Sequence, residues 1–118
     1  MKYNFNNDVP IYIQIADIIT KDITGGILKP GQKIPSVREY ALMFAANPNT
    51  VSKALQILEE RNLIYTERTN GKFVTEEKEI ISKNKEEIFN HKINEFLTDL
   101  ESLGYSKEQI INKLKEMK

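Results

Sequence analysis

Residues 47–62 read NPNTVSKALQILEERN, and this stretch decides the fold. Asn47 suits a helix N-cap and Pro48 the first helical position, because the cap side chain can accept a backbone hydrogen bond and proline lacks an amide hydrogen that the first turn would leave unpaired. The spacing predicts one apolar face and one polar face. The apolar positions are Val51, Ala54, Leu55 and Leu58, and the polar positions are Asn49, Ser52, Lys53 and Gln56. We expect a helix that ends near Arg61.

A shorter helix is predicted immediately upstream. Ser36 and Glu39 fit the capping-box pattern S-x-x-E, in which the serine side chain and the glutamate side chain each bond a backbone amide at the helix start. The pattern predicts a helix over residues 36–44. Because only Ala45 and Ala46 separate this helix from the cap at Asn47, the two helices are joined by a tight turn.

The N-terminal part of the chain predicts one more helix and a loop. Apolar residues recur at threes and fours from Ile11 to Ile23, as in a mostly buried helix, and Gly25 then stops it. Residues 27–35, ILKPGQKIP, contain two prolines and a Pro-Gly turn signal. They favour an extended loop rather than a helix.

Residues 63–75 predict a two-stranded hairpin. The β-prone runs 63–67 and 72–75 flank the sequence RTNG at 68–71, and Asn-Gly between such runs is a strong hairpin signal. The order is therefore helix, extended loop, helix, tight turn, helix and hairpin. That order predicts a winged helix-turn-helix over residues 1–75, in a chain that is mainly α with a small β-hairpin.

Residues 76–118 have a different character and predict a helical tail for dimerisation. An apolar stripe alternates at fours and threes, as in a coiled-coil seam. It comprises Phe89, Ile93, Phe96, Leu100 and Leu103, with Leu97 beside it. Gly104 ends that helix, and a second capping box at Ser106 and Gln109 begins a short last helix. Because two helices of this size cannot bury a stable core, the stripe needs a partner: the N-terminal domain or, preferably, the same stripe of a second chain.

Composition excludes several classes of function. The 118 residues contain no cysteine, which excludes disulfides, thiolate metal sites and cysteine nucleophiles. A metal site or a Ser-His-Asp set would have to use His91, the single histidine, which with Glu87 and Glu95 is better explained as solvated helix surface. We therefore expect that the protein is not an enzyme and that it binds neither a metal nor a cofactor. Without an apolar run long enough for a membrane span or a signal peptide, we also expect no membrane partner and a cytoplasmic location.

The charge distribution favours nucleic acid only weakly. Lys plus Arg and Asp plus Glu number 17 each, so the net charge is zero. Residues 1–75 nevertheless carry nine basic against seven acidic side chains, and residues 76–118 carry eight against ten. The excess of cations therefore lies in the part predicted to bind phosphates.

Two motifs carry a resemblance to a known family. The sequences KPGQKIPSVREYA at 29–41 and NPNTVSKALQILE at 47–59 resemble the DNA-binding domain of GntR-type bacterial regulators. The NPNTVS form and the short tail are similar to the YtrA subfamily, whose members are dimers often linked to control of ABC-type transporters. The tail is too short for the ligand-binding domains of larger subfamilies, which leaves a small-molecule effector an open question.

The resemblance implies which residues touch DNA. It points to the arginine of the second helix, the polar residues that open the third helix, and the small residue at the wing tip, which match Arg38, Asn47, Asn49, Thr50, Ser52 and Gly71. We add Pro48, Lys53, Arg68, Asn70 and Lys72, because they lie on the same helix or at the hairpin tip. Pro48 and Ser52 replace basic residues common in relatives, so the family's base preference does not transfer.

Two of these assignments leave alternatives open. Lys53 reaches a phosphate or is simply the exposed neighbour of Gln56 and Glu60, and Asn47 caps its helix whether or not it also meets DNA. For the whole chain we expect a homodimeric regulator, a repressor, at a palindromic operator with half-sites roughly 34–36 Å apart. The alternative functions are those of an architectural DNA-binding protein and of a protein-interaction module built on the same fold.

Overall fold

The computed structural model describes residues 3–117 and confirms the predicted fold class. The helices are α1 (Ile11–Thr24), α2 (Val37–Phe44), α3 (Pro48–Glu60), α4 (Lys78–Ser102) and α5 (Lys107–Glu116), and the strands are β1 (Ile64–Glu67) and β2 (Gly71–Val74). The order of α1, α2, α3 and the hairpin is that of a winged helix-turn-helix.

Local capping fixes the starts of α2 and α3, and a left-handed residue ends α2 at the turn between them. Ser36 caps α2 and both bonds of the capping box with Glu39 are present. Asn47 caps α3 by accepting from the backbone amide of Asn49 at 2.8 Å, with Pro48 in the first turn. Ala45 adopts the left-handed conformation, φ 51° and ψ 46°, which reverses the chain between the helices. The predicted helix starts are therefore confirmed.

The core of the first part of the chain lies where α3 packs against α1 and α2. The four predicted apolar positions of α3 are at most 1% exposed, and α1 contributes Ile15, Ala16, Ile19 and Ile23. Ile11 departs from the predicted buried set, since it lies in the first turn of α1 and is 44% exposed. The rings of Tyr3 and Phe5 pack on Phe44 at the end of α2, with centroids 4.7 Å and 6.3 Å away.

The hairpin is antiparallel and has a three-residue loop. Glu67 pairs with Gly71, so residues 68–70 form the loop, and β2 begins one residue earlier than predicted. The predicted extended loop lies along the other edge of β2: Lys33 and Phe73 form an isolated antiparallel bridge, and the Ile34 amide donates to the Lys72 carbonyl at 2.9 Å. This loop acts as a partial third strand of the wing, which the sequence did not predict.

The chain divides into two compact units, one up to Lys83 and one from Asn84. The predicted boundary near residue 76 precedes α4, which itself continues from the first unit into the second. Gly104 follows the end of α4, and Ser106 caps α5 with Gln109 in the predicted capping box. Among residues 3–117 no helix has both the length and the apolarity needed to span a bilayer.

Candidate nucleic-acid interface

The polar side of α3 faces solvent over most of its length. Asn49, Ser52, Lys53 and Gln56 are exposed, whereas Thr50 is half-buried. Val51, Ala54, Leu55 and Leu58 anchor the opposite side in the core. The helix thus presents short amide and hydroxyl groups, which can bond base edges or phosphates, from a rigid support.

The first turns of α2 and α3 carry positively polarised backbone amides. The helix dipole and the unpaired amides favour an anion at such an end. Asn47 uses its side-chain oxygen for the cap, which leaves its amide hydrogens available. Arg38 is exposed in the first turn of α2. Bonds from the Ser36 backbone and side chain lower the pKa of Glu39, so this carboxylate is ionised at neutral pH.

Lys53 has a partner that neither sequence-based alternative included. Its ammonium nitrogen lies 5.1 Å from the centre of the Tyr12 ring, a cation–π geometry. Tyr12 belongs to α1, which packs against the buried side of α3. The ring therefore holds the lysine at the border between α1 and the exposed face of α3.

The wing loop combines one exposed cation with a turn stabilised by its own side chains. Arg68 is exposed, and the Asn70 side chain donates to a Glu67 carboxylate oxygen at 3.1 Å. Gly71 has φ 105°, which disfavours other residues. A Cβ placed at Gly71 would lie 3.1 Å from the Lys33 side chain.

Lys33 is a further candidate, which the sequence pattern did not indicate. It is exposed and its bridge to Phe73 places it beside the glycine at the wing, although it is distant from the wing in sequence. The signal that could have found it is its position in the extended run next to Ile34, which is buried. The polar Lys33 followed by the apolar Ile34 is the start of an alternation typical of a strand, and it could have suggested that this segment pairs with the hairpin.

Lys72 is not a free cation at the wing tip. Its ammonium forms an ion pair with Glu59 of α3 and donates to the Thr66 hydroxyl at 2.8 Å. Only 27% of the Lys72 side chain is exposed. The structure therefore brings Arg68, Asn70 and Gly71 together at the wing and turns the Lys72 side chain toward α3.

Comparison with protein families identifies this arrangement. The family described as "Bacterial regulatory proteins, gntR family" matches residues 11–74, which span α1 to the last residue of β2. The chain belongs to this family. Membership predicted from the two motifs is thus confirmed, and the chain is a DNA-binding transcription regulator and not an enzyme.

Relatives of this gntR-family chain match it along nearly its full length. It is 34% identical to the transcriptional regulator YhcF of Bacillus subtilis, over 98% of this chain and 95% of YhcF. It is 36% identical to the transcriptional repressor YtrA of the same organism, over 94% of this chain and 86% of YtrA. The resemblance to YtrA regulators is therefore confirmed for the tail as well as for the winged helix.

Solved structures support the same assignment. A GntR family transcriptional regulator from Listeria monocytogenes is 37% identical, with a TM-score of 0.90, and the match covers 97% of this chain and all of that one. The DNA-binding domain of AraR in complex with operator ORX1 is 28% identical, with a TM-score of 0.59, and covers 64% of this chain and 95% of that domain.

The second unit of this gntR-family chain exposes the predicted apolar stripe. Phe89, Ile93, Phe96 and Leu103 are between 41% and 72% exposed, and Leu97 and Leu100 are half-buried. No residue of α4 is buried, and in α5 only Ile110 is. Phe96 and Leu100 line an apolar groove of about 450 Å³ together with Tyr105, Ile110, Leu114 and Met117 of the same unit.

His91 lies in the same helix, exposed and close to Glu95 one turn away. Its Nε2 is 3.3 Å from a carboxylate oxygen of Glu95. Within residues 3–117 no group of three or more His, Cys, Asp or Glu side chains has the arrangement of a metal site. His91 is thus an exposed surface residue of α4.

Proposed function

We propose that this regulator is a cytoplasmic, homodimeric repressor that inserts α3 of each subunit into the major groove of a palindromic operator. The observation that carries the proposal is the division of α3: its apolar side is at most 1% exposed, whereas its amide and hydroxyl side is open. A recognition helix needs this division, because one side docks it on its domain and the other reads the duplex.

The proposed contacts follow from where the side chains lie. Base-edge contacts are assigned to Asn49, Thr50 and Ser52, and the start of the helix, with Asn47 and Pro48, approaches the backbone. Arg38 and Lys53 are assigned to phosphates on either side. At the wing, Arg68 binds phosphate while Asn70 and Gly71 allow the loop backbone close to it, and Lys33 joins them.

Residues 76–118 are proposed as the dimerisation region, and residues 1–75 as the DNA-binding domain. The apolar stripe of α4 is exposed in the single chain, and the second unit buries almost no side chain by itself. A two-fold axis would bring two identical stripes together and give two recognition helices the symmetry of a palindrome. The name of the relative YtrA supports repression as the outcome.

DNA binding is tested by selecting duplexes from a random pool and measuring affinity by fluorescence anisotropy. A regulator should bind the selected palindrome at least about a thousandfold more tightly than random duplex, and both affinities should fall as salt rises. Equal affinity for both duplexes would instead indicate an architectural protein. The absence of salt-dependent DNA binding would favour the protein-interaction module.

The dimer is tested by placing a charge in the stripe. Phe96→Glu should yield a monomer in sedimentation experiments and weaken operator binding, because a carboxylate would be buried between two apolar surfaces. Thr98→Glu is the matched control, since it adds the same charge two residues away on the opposite side of α4. A Phe96→Glu variant that remains dimeric would contradict the proposed interface.

A further inference from the structure

A closed network of three side chains joins the recognition helix to both strands of the wing. Lys72 of β2 forms an ion pair with Glu59, in the last turn of α3, and donates to Thr66 of β1 at 2.8 Å. Thr66 in turn donates to the same Glu59 oxygen at 3.1 Å. Each of the three groups thus contacts the other two.

The position of the network suggests what it does. Thr66 and Lys72 are a directly opposed pair of the hairpin, two register positions nearer the tip than the buried pair Ile64 and Val74. A two-stranded hairpin has little stability of its own, so its orientation depends on side chains that connect it to the rest of the domain. On the side of α3, the Glu59 network supplies such a connection beyond the core.

Charge gives a second reason for the pairing. Glu59 belongs to the helix proposed to enter the groove, where an unpaired carboxylate would repel phosphates. Its side chain is 38% exposed, and that of Lys72 is 27% exposed. Drawing Lys72 away to a phosphate would leave this partly desolvated carboxylate without its cation.

We propose that Lys72 is a positioning residue: through Glu59 and Thr66 it fixes the angle between the wing and α3, and it does not itself bind phosphate. The network thereby sets the distance from the groove-facing side of α3 to Arg68 at the wing loop. This inference rests on the proposed DNA-binding mode and revises the sequence-based assignment of Lys72 as a contact.

The direction in which Glu59→Met changes operator affinity separates a positioning role of Lys72 from direct phosphate binding. Removing a negative charge close to DNA should by itself strengthen binding, and Glu60→Met, at the exposed neighbouring position, measures that effect. Glu59→Met should instead weaken operator binding by roughly three- to tenfold, because the wing loses its support. Lys72→Met should weaken it by a similar factor, and the double variant should be no worse than either single one.

Salt dependence provides an independent measurement on the same variants. If Lys72 only positions the wing, Lys72→Met should leave the slope of log affinity against log salt within experimental error of the wild type, and Lys83→Met serves as the control for removing an exposed lysine of α4. If Lys72 binds DNA directly, the slope should be smaller by about 0.9 for each phosphate that the lysine neutralises. That smaller slope, or a Glu59→Met variant that binds as tightly as Glu60→Met, would overturn the proposal.

Hydrogen exchange of the DNA-free chain tests the network separately from the proposed function. Backbone amides of residues 65–67 and 71–73 should exchange faster in Glu59→Met and Thr66→Val than in wild type or Glu60→Met, because the hairpin opens more readily. Unchanged exchange would refute the network even if the operator is bound. If the wild type binds no duplex, the proposed function fails while this exchange result still stands.

Discussion

Asn47 offers a test that separates capping from DNA binding. Its side-chain oxygen accepts from the Asn49 amide at 2.8 Å, at the start of a helix that supplies four buried residues to the core. Asn47→Ala removes this bond and should lower the free energy of unfolding by about 1 kcal/mol. Asn47→Asp keeps the acceptor and adds a negative charge at the positive end of the helix dipole, so it should retain or slightly raise stability.

The two variants should behave differently toward DNA. If the start of α3 approaches the phosphate backbone, the new carboxylate in Asn47→Asp lies near phosphates, and repulsion of about 1 kcal/mol at 4 Å in water corresponds to roughly fivefold weaker binding for each subunit. Asn112→Asp, on the exposed surface of α5, is the control for the added charge. We expect it to leave operator affinity close to that of the wild type.

The assays are urea unfolding followed by circular dichroism and operator titration by fluorescence anisotropy at two salt concentrations. The affinity loss of Asn47→Asp should shrink as salt rises, because screening weakens repulsion. A stable Asn47→Asp variant that binds the operator as tightly as wild type at low salt would refute the placement of α3 against the duplex. An Asn47→Ala variant of unchanged stability would refute the role of the cap.

Three further predictions concern the core, the wing and the acid response. Leu55→Ala, at a position 1% exposed, should lower the free energy of unfolding by about 2–5 kcal/mol in urea titrations, and a loss under 1 kcal/mol would contradict the α3 packing. Gly71→Ala should cost about 1–3 kcal/mol, because φ is 105° and Lys33 lies close, and unchanged thermal stability would contradict this geometry. Bonds from Ser36 lower the pKa of Glu39 below its ordinary 4.5, so their stabilisation is full above that pH and is lost as pH falls through the folded-state pKa. The stability difference between wild type and Glu39→Gln, which removes the ionisable group but keeps an acceptor for the Ser36 backbone amide, should therefore be larger at pH 7 than at pH 3, and a constant difference would contradict the linkage.

The sequence predicted best what depends on neighbouring residues. The starts of α2, α3 and α5 were predicted because a cap and the amide it satisfies lie within three residues of each other. The apolar side of α3 was predicted because a buried helical face has a fixed period. Signals of this kind involve only residues that are close together in the chain, so the sequence alone is enough to detect them.

The sequence failed where the partner comes from a distant segment. From its neighbours in the sequence, Lys72 is expected to be a free cation beside a turn. Its partner Glu59 is 13 positions away on another element. Lys53 is held by Tyr12 from α1, and Lys33 reaches the wing through a bridge to Phe73. Since each pairing is made by the packing of two elements, no periodicity within one element could reveal it.

These pairings explain how a chain of zero net charge can bind a polyanion. Three carboxylates near the proposed interface are bonded within the protein: Glu39 accepts from the Ser36 backbone amide at the start of α2, Glu67 accepts from the Asn70 side chain, and Glu59 is paired with Lys72. Arg38 and Arg68 remain exposed. Because Coulomb energies fall with distance, the attraction depends on which charges lie nearest the phosphates, and the exposed Arg38 and Arg68 are the cations proposed to lie there. Local arrangement, rather than the sum of formal charges, therefore determines the attraction for DNA.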